Sequence, residues 1–160
     1  YSRRFSDRPS FDLNGDQLVT APDLRYDYLA IGATARQRIT RRMWFGFNLE
    51  RTERTDRYLG YNDYTRDEFG FDFSWAPTNR LNFKHKSYYR NYDYPRAIDY
   101  HDPSGGENSQ EVTRANLLGD FRITPRLNLN AEVEYRVSSS NDFRINYDRT
   151  WYTLGLTWKQ

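Results

Sequence analysis

The sequence predicts an all-β chain, an antiparallel up-and-down transmembrane β-barrel of about eight strands or the C-terminal part of a larger one, with residues 1–160 as a single barrel domain or barrel segment. Three observations carry this. Apolar and polar residues alternate with a period of two in stretch after stretch, the period of a strand with two unlike faces. The polar face carries full charges along much of each strand, as in Leu127-Asn128-Leu129-Asn130-Ala131-Glu132-Val133-Glu134-Tyr135. The connections alternate short and long, the rhythm of a membrane barrel with tight turns at one rim and longer loops at the other.

Composition narrows the choice. The chain is only 37% hydrophobic and 29% charged, with a mean hydropathy of -1.02, which by itself suits a very soluble or disordered protein. Its 18% aromatic content, with 14 Tyr, 10 Phe and 4 Trp, contradicts disorder. The absence of Cys excludes disulfides, thiol catalysis and cysteine-ligated metals. No apolar run approaches the ~20 residues of a membrane helix, but a membrane strand needs only ~10, half of them apolar. A net charge of +2 is too small to argue for nucleic acid. The chain opens on Tyr1 without Met or signal peptide and reads as a mature product or a fragment.

Residues 1–13 alternate poorly, carry Pro9 and read as a weak strand, and residues 14–23 as a loop. The next strand sets Leu29, Ile31, Ala33, Ala35 and Ile39 against Tyr28, Ala30, Gly32, Thr34, Arg36 and Arg38. After the turn Thr40-Arg41-Arg42, Met43, Phe45, Phe47 and Leu49 oppose Trp44, Gly46, Asn48 and Glu50. A long, Tyr-rich loop is expected from Arg54 to Arg66. Phe69, Phe71, Phe73 and Trp75 then oppose Gly70, Asp72 and Ser74, and a short turn follows over Ala76 to Arg80. Leu81, Phe83, His85 and Ser87 alternate with Asn82, Lys84, Lys86 and Tyr88 ahead of the longest expected loop, about Arg90 to Val112. From Thr113 a strand leads through Ala115, Leu117, Gly119, Phe121 and Ile123 to the tight turn Thr124-Pro125-Arg126. The Leu127 strand, a loop over Ser138 to Asn146 and the alternation of Tyr152, Leu154, Leu156 and Trp158 complete the chain. Trp75 and Trp158 near the short turns, and Tyr88, Tyr89, Tyr92 and Tyr94 toward the long loops, suit interfacial girdles.

The ending Tyr152-x-Leu154-x-Leu156-x-Trp158 resembles the C-terminal strand by which Gram-negative outer-membrane barrels are recognised for assembly, although Lys159 and Gln160 follow the last aromatic. The turns at Ala76–Leu81 and Thr124–Leu127 look like the periplasmic turns of such barrels. Tyr92-Asp93-Tyr94-Pro95 and Ser140-Asn141 with Tyr147-Asp148-Arg149 are similar to stretches of porin-like barrels linked to exopolysaccharide export. The resemblance implies a bacterial outer-membrane location, with lipid, lipopolysaccharide and the barrel-assembly machinery as partners, and other subunits or periplasmic proteins beside them. Neither nucleic acid nor a cofactor is expected. With Trp158 at the periplasmic rim, seven strands run back to Leu24. Even strand numbers are the rule, so an eighth strand comes from residues 1–13 or the barrel is larger.

This register assigns Arg36, Arg38, Glu50, Asp72, Lys84, Lys86, Asp120, Arg122, Glu132, Glu134 and Arg136 to the lumen. It assigns Leu29, Ile31, Phe45, Phe47, Phe69, Phe71, Phe73, Leu127, Leu129, Val133, Leu154 and Leu156 to lipid. An eight-stranded interior has room only for side chains, whose charges then pair across strands; in a wider barrel they line water and bias permeation toward anions or polar sugars.

Other motifs are weaker. Asp12, Asn14, Asp16 and Asp23 match positions 1, 3, 5 and 12 of a calcium loop, but Gln17 stands where that loop needs Gly, and Asp-rich surface loops are common. His101 stands beside Asp99 and Asp102, and with Asp102 it is a conceivable acid–base pair of an outer-membrane protease, yet one adjacent pair is no constellation and a solvated loop histidine explains it. His85 falls on the apolar face. No nucleophile elbow, phosphate loop or zinc signature occurs. The expected function is a non-catalytic pore or translocation wall for polar solutes or polysaccharide. The alternatives are a small structural or adhesion barrel with partner-binding loops, an outer-membrane enzyme, and a soluble sandwich.

Overall fold

The computed structural model describes residues 2–5, 24–56, 63–98 and 107–158. Strands run over Ser2–Phe5 (β1), Leu24–Thr40 (β2), Met43–Asp56 (β3), Tyr64–Trp75 (β4), Leu81–Ile98 (β5), Glu107–Arg122 (β6), Leu127–Ser140 (β7) and Tyr147–Trp158 (β8), with one 3-10 turn at Phe143–Ile145. All eight strands form one sheet in chain order, each antiparallel to the next. The expected weak first strand is β1, which among the described residues pairs only with Leu24 to Asp27. Among the described residues β8 pairs with β7 alone, so the sheet is an open meander.

Three short turns join the strands at one end, and they share a device. Each contains Thr-x-Arg (Thr40-Arg41-Arg42, Thr78-Asn79-Arg80, Thr124-Pro125-Arg126), and the threonine Oγ1 accepts the arginine's backbone N–H at 3.1, 3.2 and 3.3 Å respectively. In the second and third turns the following leucine N–H, of Leu81 or Leu127, also donates to that oxygen at 3.0 Å. A hydroxyl that satisfies backbone donors inside a turn replaces the ladder bonds lost there. The turns are also tied to one another: Ala76 N donates to Arg42 O at 2.8 Å and Arg122 N to Arg80 O at 2.7 Å.

The opposite end departs from expectation. Strand reaches into each of the loops expected at Arg54–Arg66, Arg90–Val112 and Ser138–Asn146: β3 runs on to Asp56, β4 begins at Tyr64, β5 reaches Ile98, β6 begins at Glu107 and β7 ends only at Ser140, after which 141–146 form the connection. Both faces of these extensions are polar. Apolar alternation therefore vanishes although the backbone ladder continues. The connection after β7 is built tightly: the Asn141 amide donates to Glu107 O at 2.8 Å, Ser109 N donates to Asn141 Oδ1 at 2.9 Å, and Asp142 takes a bidentate pair from Arg144 at 2.8 and 2.6 Å.

Register carries one apolar band across the sheet. Ala35 faces Phe47, Phe47 faces Phe71, Phe71 faces Ser87, Ser87 faces Ala115, Ala115 faces Tyr135 and Tyr135 faces Thr150; lines on either side join Leu49, Phe69 and Tyr89, and Phe45, Phe73, His85, Leu117, Val133 and Tyr152. Ring contacts within it include Phe47–Phe71 at 5.3 Å and the stacked Trp75–Phe83 at 5.9 Å. Above Leu49, Phe69 and Tyr89 the same face turns polar at Arg51, Asp67 and Asn91.

The two faces are covered in the reverse of a water-soluble sheet. On the apolar face of inner strands, Phe69, Leu117 and Val133 are 46, 49 and 40% exposed, whereas on the charged face Thr52, Val112 and Ser138 are 5, 4 and 3% exposed. Among the described residues, every buried strand residue lies on the charged face. Crowding there is close. A Cβ on Gly32 would lie 2.8 Å from Leu49 O, and one on Gly46 would lie 3.1 Å from Arg36 Cγ. Side chains crowd on a concave surface and spread on a convex one, so the sheet curls toward its charged face.

Candidate functional site

The concave face is the candidate site, and period two along each strand puts its residues there. Arg36, Arg38, Glu50, Asp72, Lys84, Lys86, Asp120, Arg122, Glu132, Glu134 and Arg136 all share it; Leu29, Ile31, Phe45, Phe47, Phe69, Phe71, Phe73, Leu127, Leu129, Val133, Leu154 and Leu156 share the other. Tyr88, Tyr92 and Tyr94 stand with the charges, so of the four tyrosines expected at a girdle only Tyr89 lies on the apolar face.

Three bands of chemistry cross the concave face. Nearest the short turns, a recess is lined by Arg42, Arg80, Asp120, Arg122 and Asn128, among others. Arg42 is held across it by Pro77 O at 3.0 Å and Asn79 Oδ1 at 2.9 Å. Arg38 donates to Thr40 O and Arg41 O at 3.1 and 2.8 Å, so it serves the turn, while Asn82 reaches Asp120 at 3.5 Å.

The middle band holds most of the sequence-predicted charges. Arg36, Asp72, Lys86 and Glu134 fall in one lateral row with Trp151, and Arg38, Lys84 and Glu132 in the next. These residues do not neutralise one another. Among the described residues none of the eleven predicted charges is ion-paired to another of the set. Arg36 rests over Trp44 at 5.4 Å, and Glu132 accepts from the Asn116 amide.

Ion pairing concentrates toward the other end, where two of the expected lumen carboxylates, Glu50 and Glu134, meet arginines outside that set. Arg66 bonds Glu50 and Thr52, lies 3.9 Å from Glu68, and Glu68 accepts from Arg90 Nε at 2.6 Å. Arg114 pairs with Glu134 at 2.5 Å. Beside them is a tyrosine cluster: Tyr64 lies 5.4 Å from Tyr92 and 5.7 Å from Tyr94, and Tyr92 stacks on Tyr94 at 6.2 Å. The Arg54 guanidinium sits over Tyr64 at 4.2 Å and Tyr26 at 4.8 Å, and Arg90 over Tyr88 at 3.9 Å. Tyr64 and Tyr94 stand beyond the apolar band; burial raises both hydroxyl pKa values, with Arg54 opposing it. Both remain neutral phenols at physiological pH. The signal that would have found this region is Tyr88-x-Arg90-x-Tyr92-x-Tyr94, a period of two written in polar and aromatic residues rather than in apolar ones.

The possible calcium ligands Asp12, Asn14, Asp16 and Asp23, and His101 with Asp99 and Asp102, lie outside the described residues. Among the described residues no group of three or more His, Asp or Glu is placed to hold a metal ion. His85 is on the apolar face, its ring 5.9 Å from Phe71. Tyr152, Leu154, Leu156 and Trp158 project from β8 at 78, 75, 68 and 64% exposure.

No family model and no curated protein matches the chain. Among solved structures it is similar to a chain described as copper transporter OprC, at 15% sequence identity and a TM-score of 0.46. That similarity covers 98% of this chain, which spans 28% of the length of the other.

Proposed function

We propose that this sheet is wall of a bacterial outer-membrane β-barrel, and that the barrel provides a non-catalytic pore or translocation path for polar solutes or polysaccharide. The carrying observation is the inverted sheet, with its apolar face exposed and its charged face crowded. In water a continuous apolar band across seven strands would be far larger than the patches that soluble monomers tolerate; against lipid it is the favourable surface. Leu127 to Tyr135 span roughly 26 Å of strand, about 20 Å of height once tilted, near the ~25 Å apolar belt of such barrels.

Lipid and lipopolysaccharide are then the surroundings of the apolar face, and Tyr152, Leu154, Leu156 and Trp158 the residues offered to the assembly machinery. A barrel has no open edge in lipid. β2 and β8 both run toward the short-turn end, so an antiparallel closure takes a strand of opposite direction between them, one that lies beside residues 28–40 of β2. Conductance across a planar bilayer tests the reading: steady ion-permeable steps support it, and a refolded, heat-modifiable barrel that never conducts defeats it.

A second reading has its own observation. Arg66–Glu50, Arg90–Glu68 and Arg114–Glu134 are self-neutralising pairs, as suits a filled, non-conducting interior. This describes a small eight-stranded structural or adhesion barrel whose outer loops bind a partner, and the non-conducting outcome selects it.

A further inference from the structure

The concave face carries a row of arginines that the pore reading does not require. Arg114 on β6 is the direct cross-strand partner of Arg136 on β7, and Arg136 is the direct partner of Arg149 on β8. Directly opposed side chains lie about 5 Å apart at Cβ, and like charges so placed repel. The surroundings compensate only in part. Glu134 takes Arg114 at 2.5 Å. Arg136 and Arg149 make no ion pair among the described residues; both guanidinium groups rest over the Tyr147 ring, at 5.4 and 5.3 Å. Glu132, the other carboxylate nearby on β7, faces Leu118 and Thr153 two lateral rows away and is engaged with Asn116. Furthermore, Arg114 Nε and Arg136 Nε are buried without a hydrogen-bond partner. Buried donors without acceptors cost free energy; enclosed as they are, they mark a local shortage of acceptors, and a ligand would meet the outer guanidinium nitrogens.

Three guanidinium groups with one carboxylate among them, two of them with unanswered donors, make a site short of negative oxygen. Guanidinium forks match planar and tetrahedral oxyanions, which they bind through charge-assisted pairs. We propose that Arg114, Arg136 and Arg149 form an anion rail on the lumenal wall, which takes carboxylate-bearing saccharide in transit. This deepens the pore reading and rests on it. Tyr147 lies under two of the guanidinium groups, and Tyr88, itself under Arg90, closes the row on β5; the saccharide comes from the pore reading, and the arginines add the requirement that it be acidic. The rail's lateral direction crosses the strands, so a chain of acidic sugars would lie across the wall and meet one arginine per strand.

Trp151 is a built-in reporter. It lies on the same face, two residues after Arg149 and opposite Glu134, and lines a recess with Glu132, Glu134 and Thr153. The test titrates trigalacturonate, and neutral maltotriose as control, into the refolded chain in detergent while following tryptophan emission, with Trp151→Phe to assign the signal. We expect saturable binding of trigalacturonate only. Affinity should weaken about tenfold or more in Arg136→Gln/Arg149→Gln, which removes two charge-assisted pairs, and be retained in large part by Arg136→Lys/Arg149→Lys. Equal binding of both sugars, or equal affinity in wild type and the Gln variant, overturns the rail. If the Gln variant does not refold, raising KCl from 0.05 to 0.5 M in wild type decides instead: unchanged affinity overturns the rail, because ion-paired binding is screened. Conductance keeps the two proposals apart. A chain that conducts but binds no trigalacturonate retains the pore and loses the rail; one that binds through Arg136 and Arg149 without conducting retains the anion site and loses the pore.

Discussion

Below the line of Leu49, Phe69 and Tyr89 the sheet has two unlike faces, one apolar and exposed and the other charged; above it, from Arg51, Asp67 and Asn91 onward, both faces are polar. The same ladder of backbone bonds runs through both halves, so the difference lies in what surrounds the strands. In the proposed barrel the lower half has an apolar solvent outside. The upper half holds itself together with its own ion pairs, with cation–π contacts from Arg54 and Arg90 and with packed tyrosine rings. One strand can therefore be stable for two different physical reasons along its length, and only the first leaves an apolar signature.

The sharpest way to break this contrast is to move one charge along a single face of β7. Val133→Arg, within the band, should destabilise the refolded protein in lipid vesicles by about 2–4 kcal/mol, whereas Ser139→Arg, above it on the same face, should cost about 0–1 kcal/mol. Urea unfolding followed by tryptophan fluorescence reads both, and equal losses would mean that the band does not face lipid. A smaller effect, about 1–3 kcal/mol, is expected of Gly32→Val. A side chain there runs into Leu49 O, with only 2.8 Å to the Cβ. Ala30→Val, one pair along the same face, should cost less, and the reverse order would remove the argument for a close approach at Gly32.

In the upper half, Glu68→Ala strips the acceptor from Arg90 and a neighbour from Arg66, whose side chains are 26 and 18% exposed. A loss of about 1–2 kcal/mol is expected. A double-mutant cycle with Arg90→Ala should show the two residues to be coupled, and strict additivity would contradict the network. The smallest change, about 0.5–1.5 kcal/mol, belongs to the turn end, where Thr124→Val removes the acceptor for Arg126 and Leu127 N–H. Thr124→Ser should restore most of it.

The alternation of Leu127 to Tyr135 assigns each residue to a face without any knowledge of its neighbours, since every second side chain of a strand points the same way. The strand type, the two faces, the short turns and the charged set from Arg36 to Arg136 follow from that one local rule. The limits of the strands do not. Tyr64 and Arg66 repeat with the same period, but polar residues on both sides leave no contrast to detect, and they read as loop.

Neighbourhood across strands was decided by the fold alone. Arg114, Arg136 and Arg149 share no spacing within the chain that marks them as a group. They become adjacent because the turn at Thr124 and the connection around Asp142 set the pairings Arg114 with Arg136 and Arg136 with Arg149. The same holds for the partners of the predicted charges: the local pattern put Glu50 and Glu134 on the concave face, but register gave them Arg66 and Arg114. Side-chain direction is a property of one strand, while charge compensation is a property of several, and a one-residue slip in any pairing would have changed every partner.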